Sequence, residues 1–367
     1  MVIAIIAILS FLVLIHEWGH YIAAKKTGVR VEEFGFGYPP RLFLLFKRKE
    51  TEFTLNALPF GGFVRLAGDD AETLEKGTEA QEESGTPPNQ LFSNKSKFQR
   101  LIVIYAGAFM NILFGVVAFA AIYTQIGIPE LRPHPLITGI VQDSPASEVG
   151  IQAGDEVLRF DEEQIDSSVE LITLLQENQG ERIELVVKRG DEQLTMRPYV
   201  RRKEEIPKDQ GSIGILLSDT ELIQYPFWQR PFRGIVQGIK DSIMFAVVIL
   251  DTLGNMVAQF VQSGKIPEEL SGPIGIVDTV SKEKLLSQGW VVGLNLAALI
   301  SINLGVMNVL PIPALDGGRA VFIMLESVLG KKRRMLYERY ANMVGMALLL
   351  FLFALISIKD LIGVFSN

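Results

Sequence analysis

The chain has 367 residues, 48% hydrophobic and 21% charged, with a formal net charge of -7 and no cysteine, and its mean hydropathy is +0.27. A positive mean over that length implies a membrane component, while zero cysteine excludes disulfides, thiol nucleophiles, iron–sulfur clusters and thiolate zinc sites. The acidic balance offers no basic stripe for phosphates and argues against a nucleic-acid partner, and with three histidines, His16, His20 and His134, any metal site needs a carboxylate.

In chain order, residues 1–24 form an apolar run that lacks a basic leader and a small-x-small cleavage site, which predicts a first transmembrane helix rather than a signal peptide. Residues 25–97 follow as a cytosolic loop. Within it, Thr51 to Ala67 alternates and contains Gly61-Gly62, predicting a β-hairpin over 51–67, whereas 69–88 is acidic, poor in apolar residues and read as a surface loop without chemistry. Residues 98–126 make a second span, apolar from Leu101 to Tyr123 but for Asn111.

Over 130–205 the pattern changes to short β-type runs around one helical stretch, 167–176, which predicts a compact α+β module. Residues 228–290 are interrupted by Arg233, Lys240, Asp241, Asp251, Asn255 and Gln259, and read as an amphipathic, non-spanning segment in the interface. A third span with its following motif occupies 291–329, and a fourth covers 336–360. The predicted fold is a polytopic α-helical membrane protein with four transmembrane helices, a cytosolic β-hairpin and an inserted extracytoplasmic α+β domain.

Orientation follows from basic residues. Lys25, Lys26, Arg30, Arg41, Lys47, Arg48 and Lys49 flank the first span, and Lys331, Lys332, Arg333 and Arg334 precede the last, so both loops are expected in the cytoplasm. If 228–290 does not cross, parity puts both loops on one side and the insert on the other.

His16-Glu17-Trp18-Gly19-His20 is HExxH. On a helix, positions i and i+4 share a face, so both imidazoles can reach one zinc ion with Glu17 beside it to activate water. An acidic residue at mid-membrane costs about 2.5–3.5 kcal/mol on insertion scales, so such a group is read as functional. His134 falls on the extracytoplasmic side, and a third ligand is expected from a carboxylate near another span's cytosolic end. Asp316, in NVLPIPALDGG (308–318), fits, with helix capping as the alternative role.

HEWGH, AGAFMN (106–111), LSGPIGI (270–276) and NLGVMNVLPIPALDGG (303–318) together resemble the site-2 protease family of intramembrane zinc metalloproteases, in its bacterial regulator-of-sigma-E form. The segment PASEVGIQAGDEVLRFDEEQI resembles PDZ domains attached to bacterial proteases. The resemblance implies Zn2+ held by His16, His20 and Asp316, Glu17 as catalytic base, and Asn303 and Asn308 as holders of the substrate backbone. It also implies that the hairpin is membrane-associated and pairs with an unwound substrate strand. Expected substrates are single-pass membrane proteins already cut by another protease, such as anti-sigma factors or signal-peptide remnants, within the bacterial inner membrane. Two departures are a single PDZ pattern where the best-known form has two, and Ala108 where many relatives have Pro. A non-catalytic scaffold that binds tails through its PDZ domain is the alternative; a transporter would require internal repeats, and none is visible.

Overall fold

The computed structural model describes residues 2–69, 86–207, 210–263, 275, 280–282 and 284–366. The chain divides into two units, the first made of Met1–Ile122 with Gly234–Asn367 and the second of Tyr123–Arg233.

In the first unit, helix α1 (Val2–Thr27) ends where Gly28 takes φ +73. There the Val29 N–H returns to the Ala24 carbonyl at 2.8 Å, the hydrogen bond of a glycine C-cap. Helix α2 (Lys97–Ile126) packs on α1 through small residues: a Cβ added to Gly19 would run into the Ala106 carbonyl. Apolar helices surrounded by lipid gain little from further burial, so close backbone approach of this kind is what associates them.

Strands β1 (Val31–Arg48) and β2 (Thr51–Leu66) pair antiparallel around a turn at Lys49. The register is double: residues 33–36 face 62–65 on one side and 52–55 on the other, while 41–48 face 51–56. The predicted hairpin over 51–67 is therefore corrected. Its two halves do not pair with each other across Gly61-Gly62; each pairs with the start of β1, a strand in which Gly35, Gly37, Pro39-Pro40 and the apolar run 42–46 gave no alternation. The 62–66 edge lies against α1, since a Cβ on Gly62 would sit 2.9 Å from Leu14 and 3.7 Å from Glu17.

Helix α5 (Arg230–Ser263) is one helix of 34 residues, within the segment read from its charges as amphipathic and non-spanning. Helix α6 (Trp290–Val309) packs on α2 through Gly305, whose added Cβ would lie 3.0 Å from the Ala108 carbonyl, and through Ser301, which donates to the Asn111 carbonyl at 2.8 Å. After Pro311 and Pro313 the chain re-enters helix as α7 (Asp316–Leu329), and α8 (Lys331–Ser366) follows, longer than the predicted 336–360. Five helices among the described residues, α1, α2, α5, α6 and α8, are long and apolar enough to cross a membrane, one more than the four predicted. Most of the predicted acidic loop, 70–85, and nearly all of LSGPIGI lie outside the described residues.

The second unit holds β3 (Ile128–Ile140), α3 (Pro145–Glu148), β4 (Glu156–Phe160), β5 (Glu163–Gln164), α4 (Ser168–Glu177), β6 (Leu185–Arg189), β7 (Glu192–Met196) and β8 (Ile215–Ile223). Strand order is β7-β6-β4-β3-β8, with β5 beside β4. The module thus runs past the predicted end at 205, because β8 closes on β3, and that pairing joins segments far apart in sequence. Its core gathers Ile137, Val157, Phe160, Leu171, Leu185 and Val187, each worth about 1.5–3 kcal/mol when fully buried. Buried Asp155 accepts two hydrogen bonds from Arg189, at 2.7 and 2.8 Å, and one from the Gln152 N–H at 2.9 Å. Although burial opposes ionisation, these donors hold its carboxyl below the usual carboxylate range.

Candidate metal centre

His16 and His20, one helical turn apart on α1, present their Nε2 atoms 3.1 Å from each other. Oδ2 of Asp316, the first residue of α7, lies 3.0 Å from Nε2 of His16 and 3.2 Å from Nε2 of His20. The three ligating groups form the metal-competent cluster found among the described residues. The capping role considered for Asp316 is not the one adopted: Leu315 holds the N-cap position, without a side-chain cap.

The outer contacts of the rings fix what their inner atoms are. Nδ1 of His20 is 2.8 Å from the Val103 carbonyl, which can only accept, so Nδ1 carries the proton and Nε2 of the neutral ring is a bare lone pair. Nδ1 of His16 faces the buried Asn111 amide at 3.4 Å. Oδ1 of that amide is otherwise a buried oxygen without a partner. The amide nitrogen Nδ2 is the atom at 3.4 Å; rotating the amide by 180° puts Oδ1 there instead, where it accepts from Nδ1–H and leaves Nε2 of His16 bare as well.

Two nitrogen lone pairs and a carboxylate oxygen then converge with nothing but like-signed density between them, which a cation relieves. The spacing suits one: tetrahedral ligands on bonds of ~2.0 Å are about 3.3 Å apart. Both second contacts, a carbonyl and an amide, are of the kind that orient metal-bound imidazoles.

Room for the rings comes from α2. A Cβ on Gly107 would lie 2.5 Å from Nε2 of His20 and 2.6 Å from Nε2 of His16. The loop carrying Asp316 is shaped by its own glycines: Gly317 and Gly318 pack against the carbonyls of 309–312, where any Cβ would clash. Ala314 adopts φ +73, and its N–H donates to Asn342 of α8 at 3.0 Å. Broken helix of this kind persists where other protein groups satisfy its backbone.

The centre opens into a cavity of about 390 Å³ lined by Glu17, Tyr38, Gly62, Phe63, Asn308 and Arg319, among others. Glu17 has the Val64 backbone N–H of β2 as a hydrogen-bond neighbour. Of the residues singled out from sequence, His16, Glu17, His20, Asp316 and Asn308 meet here. Asn303 does not: it lies exposed on α6, outside the cavity lining, because five residues of helix turn it well away from Asn308. His134 is in the second unit, bonded to the Ile165 carbonyl at 2.7 Å. Sequence reading assigned no role to Gly107, Asn111, Asn342 or Arg319. AGAFMN contained the first two, but nothing in their spacing marks a ring's resting place.

Residues 4–352 match Peptidase family M50. A chain from Clostridium acetobutylicum, named as a candidate zinc metalloprotease, is 32% identical over 98% of this chain and 97% of its own length. Zinc metalloprotease RasP of Oceanobacillus iheyensis is 27% identical over 98% of both chains. A solved PDZ domain of an SdrC-like protein from Listeria monocytogenes is 26% identical, covering 24% of this chain and 93% of its own, with a TM-score of 0.21.

Proposed function

This chain belongs to Peptidase family M50, and from that premise we propose that it is a zinc metalloprotease that hydrolyses a peptide bond within or near the transmembrane segment of single-pass membrane proteins. The observation that carries this reading is the convergence of three acceptor atoms at 3.0–3.2 Å beside Glu17 in an apolar helix.

His16, His20 and Asp316 hold zinc. When bound, the ion supplies a Lewis acid that polarises the scissile carbonyl and makes water acidic enough to be activated near neutral pH. Glu17 takes a proton from the attacking water and returns it to the leaving amine. Val103 and Asn111 keep the imidazoles in the tautomer that leaves Nε2 free.

A peptide in a transmembrane helix has its carbonyls hydrogen-bonded internally and must unwind before attack. Asn308 and the cavity-lining residues of β2 at 62–64 supply replacement partners to the opened backbone, as an edge strand does in strand addition. Substrates with helix-breaking residues therefore cut best.

Four helices, α1, α2, α6 and α8, span the bacterial inner membrane, and α5 lies in the outer interface. Arg233, Lys240, Asp241 and Asp251 along α5, and the requirement that both basic loops share the cytoplasm, support that arrangement. The insert is an extracytoplasmic PDZ domain. Its groove, about 740 Å³ between α4 and the β8 edge and lined by Ile172, Leu175, Ile213, Ile215 and Leu217, suits an extended tail exposed by an earlier cut.

The reading is tested by reconstituting the full chain in lipid vesicles with a single-pass segment that contains Asn-Pro, and with the same segment stiffened by Leu and Ala. Zinc-dependent cleavage, suppressed by chelator and at least about tenfold slower on the stiffened segment, is expected. Cleavage indifferent to chelator would overturn the zinc assignment, and equal rates would overturn the unwinding step.

A further inference from the structure

Arg319 lies three residues after Asp316 and therefore on the same face of α7. It lines the metal cavity, and together with Asp69 and Phe92 it also lines a second cavity of about 440 Å³ bounded by Arg334, Glu338 and Asn342. The ion pair between Arg319 and Asp69 thus forms part of the partition between the reaction site and a charged compartment beyond it.

Two arginines in this unit are held very differently. Arg100 is 3% exposed and grips Glu326 with both terminal nitrogens at 2.8 Å, a fork-to-fork structural pair. Arg319 is 30% exposed; only Nη2 bonds Asp69, at 2.5 Å, while Glu338 stands 3.6 Å from Nε. A guanidinium has five N–H donors, so beside Asp69 and Glu338 it keeps donors for a further acceptor. The Asp69 N–H bonds the Leu66 carbonyl at 3.3 Å, and two residues earlier the Ala67 carbonyl accepts from the Phe92 N–H at 2.8 Å. Asp69 can release Arg319 by rotating its side chain alone.

Hydrolysis creates an acceptor in this cavity. The C–N bond breaks, the water oxygen stays on the acyl carbon, and both water protons end on the leaving nitrogen, so a neutral amide becomes a carboxylate beside an ammonium. We propose that Arg319 is the receiving site for that new carboxylate, with Asp69 as its occupant in the resting enzyme. The proposal rests on the proteolytic reading above and adds a product-binding residue to it. Arg319 draws the carboxylate from the metal toward the second cavity, and Asp69 displaces it afterwards so that the fragment leaves.

The test is direct binding of a fluorescein-labelled Ala/Leu decapeptide, with a free C-terminal carboxylate or as its amide, to the full-length zinc-loaded protein. The wild type is expected to favour the acid over the amide by about tenfold, ~1.4 kcal/mol. Arg319→Gln should reduce that ratio several-fold with zinc content unchanged, and Arg319→Lys should restore part of it. Asp69→Asn should act oppositely, tightening the acid and leaving the amide alone; it decides the matter if Arg319→Gln loses zinc. An equal acid-to-amide ratio in wild type and zinc-replete Arg319→Gln, or an Asp69→Asn change shared by both peptides, overturns the proposal. A wild type that cleaves no single-pass segment would instead sink the proteolytic reading.

Discussion

Nε2 of His16 lies 3.0 Å from Oδ2 of Asp316, although the two residues are 300 positions apart in the chain. One ligand sits mid-helix in the first apolar segment and the other begins a helix after a double-proline break. Their meeting depends on α2, which backs the rings with a glycine and accepts a hydrogen bond from His20 through the Val103 carbonyl.

Gly107→Ala therefore tests the packing behind the centre. The new methyl would meet both Nε2 atoms at about the distance of a forbidden contact, 2.5–2.6 Å, so the rings must swing. Zinc affinity, measured by competition with a chromogenic chelator, is expected to fall at least about tenfold. Unchanged affinity would mean that the imidazoles do not rest against α2.

Asn111→Leu removes the amide that faces Nδ1 of His16. Loss of such an outer contact to a metal-bound histidine costs roughly 10–100-fold in metal affinity or activity. Asn111→Asp, which keeps an acceptor at Nδ1, should retain most of the zinc binding. Parallel losses in both variants would contradict the assigned hydrogen bond.

In the insert, the pH dependence has a definite sign. Asp155 has a folded pKa below its unfolded value, with burial opposing and Arg189 lowering it. Its stabilisation is thus fully present above the unfolded value near 3.9 and is lost as pH falls through the lower folded value. Hydrogen exchange of β4 and β6 amides in the intact protein should accelerate over that acid range. Asp155→Asn should remove the dependence and, by breaking the paired hydrogen bonds from Arg189, lower the stability of the insert at neutral pH.

The native chain has no cysteine, so single cysteines report topology cleanly. A cysteine at Ser263, the end of α5, is expected to react with an impermeant maleimide from outside intact cells, and one at Lys331 only after lysis. Protection of the Ser263 position would mean that α5 crosses, giving five spans.

HEWGH was legible because a helix fixes i and i+4 on one face, and Asp316 because histidine was scarce and one carboxylate stood beside a broken helix. The strands of the insert were legible as short β-type runs except the two-residue β5 and β8, whose partner β3 lies far back in the chain. The first half of the β1–β2 ribbon escaped notice because a strand apolar on both faces, as in Leu42 to Phe46, does not alternate. Asn303 was placed by family resemblance, whereas its exposed position on α6 is set by helix rotation. Arg319 looked like an ordinary helix residue, since only the third dimension puts Asp69 against it.

The most direct measurement is cleavage of a reconstituted single-pass segment by Glu17→Gln beside wild type, with zinc content determined on the same samples. Glu17 is not among the three ligating groups, so both proteins should hold one zinc. Cleavage should fall at least about 10²–10⁴-fold in the variant, the range general acid–base catalysis contributes. Wild-type cleavage rates in zinc-replete Glu17→Gln would contradict the assignment of the HExxH glutamate as the base.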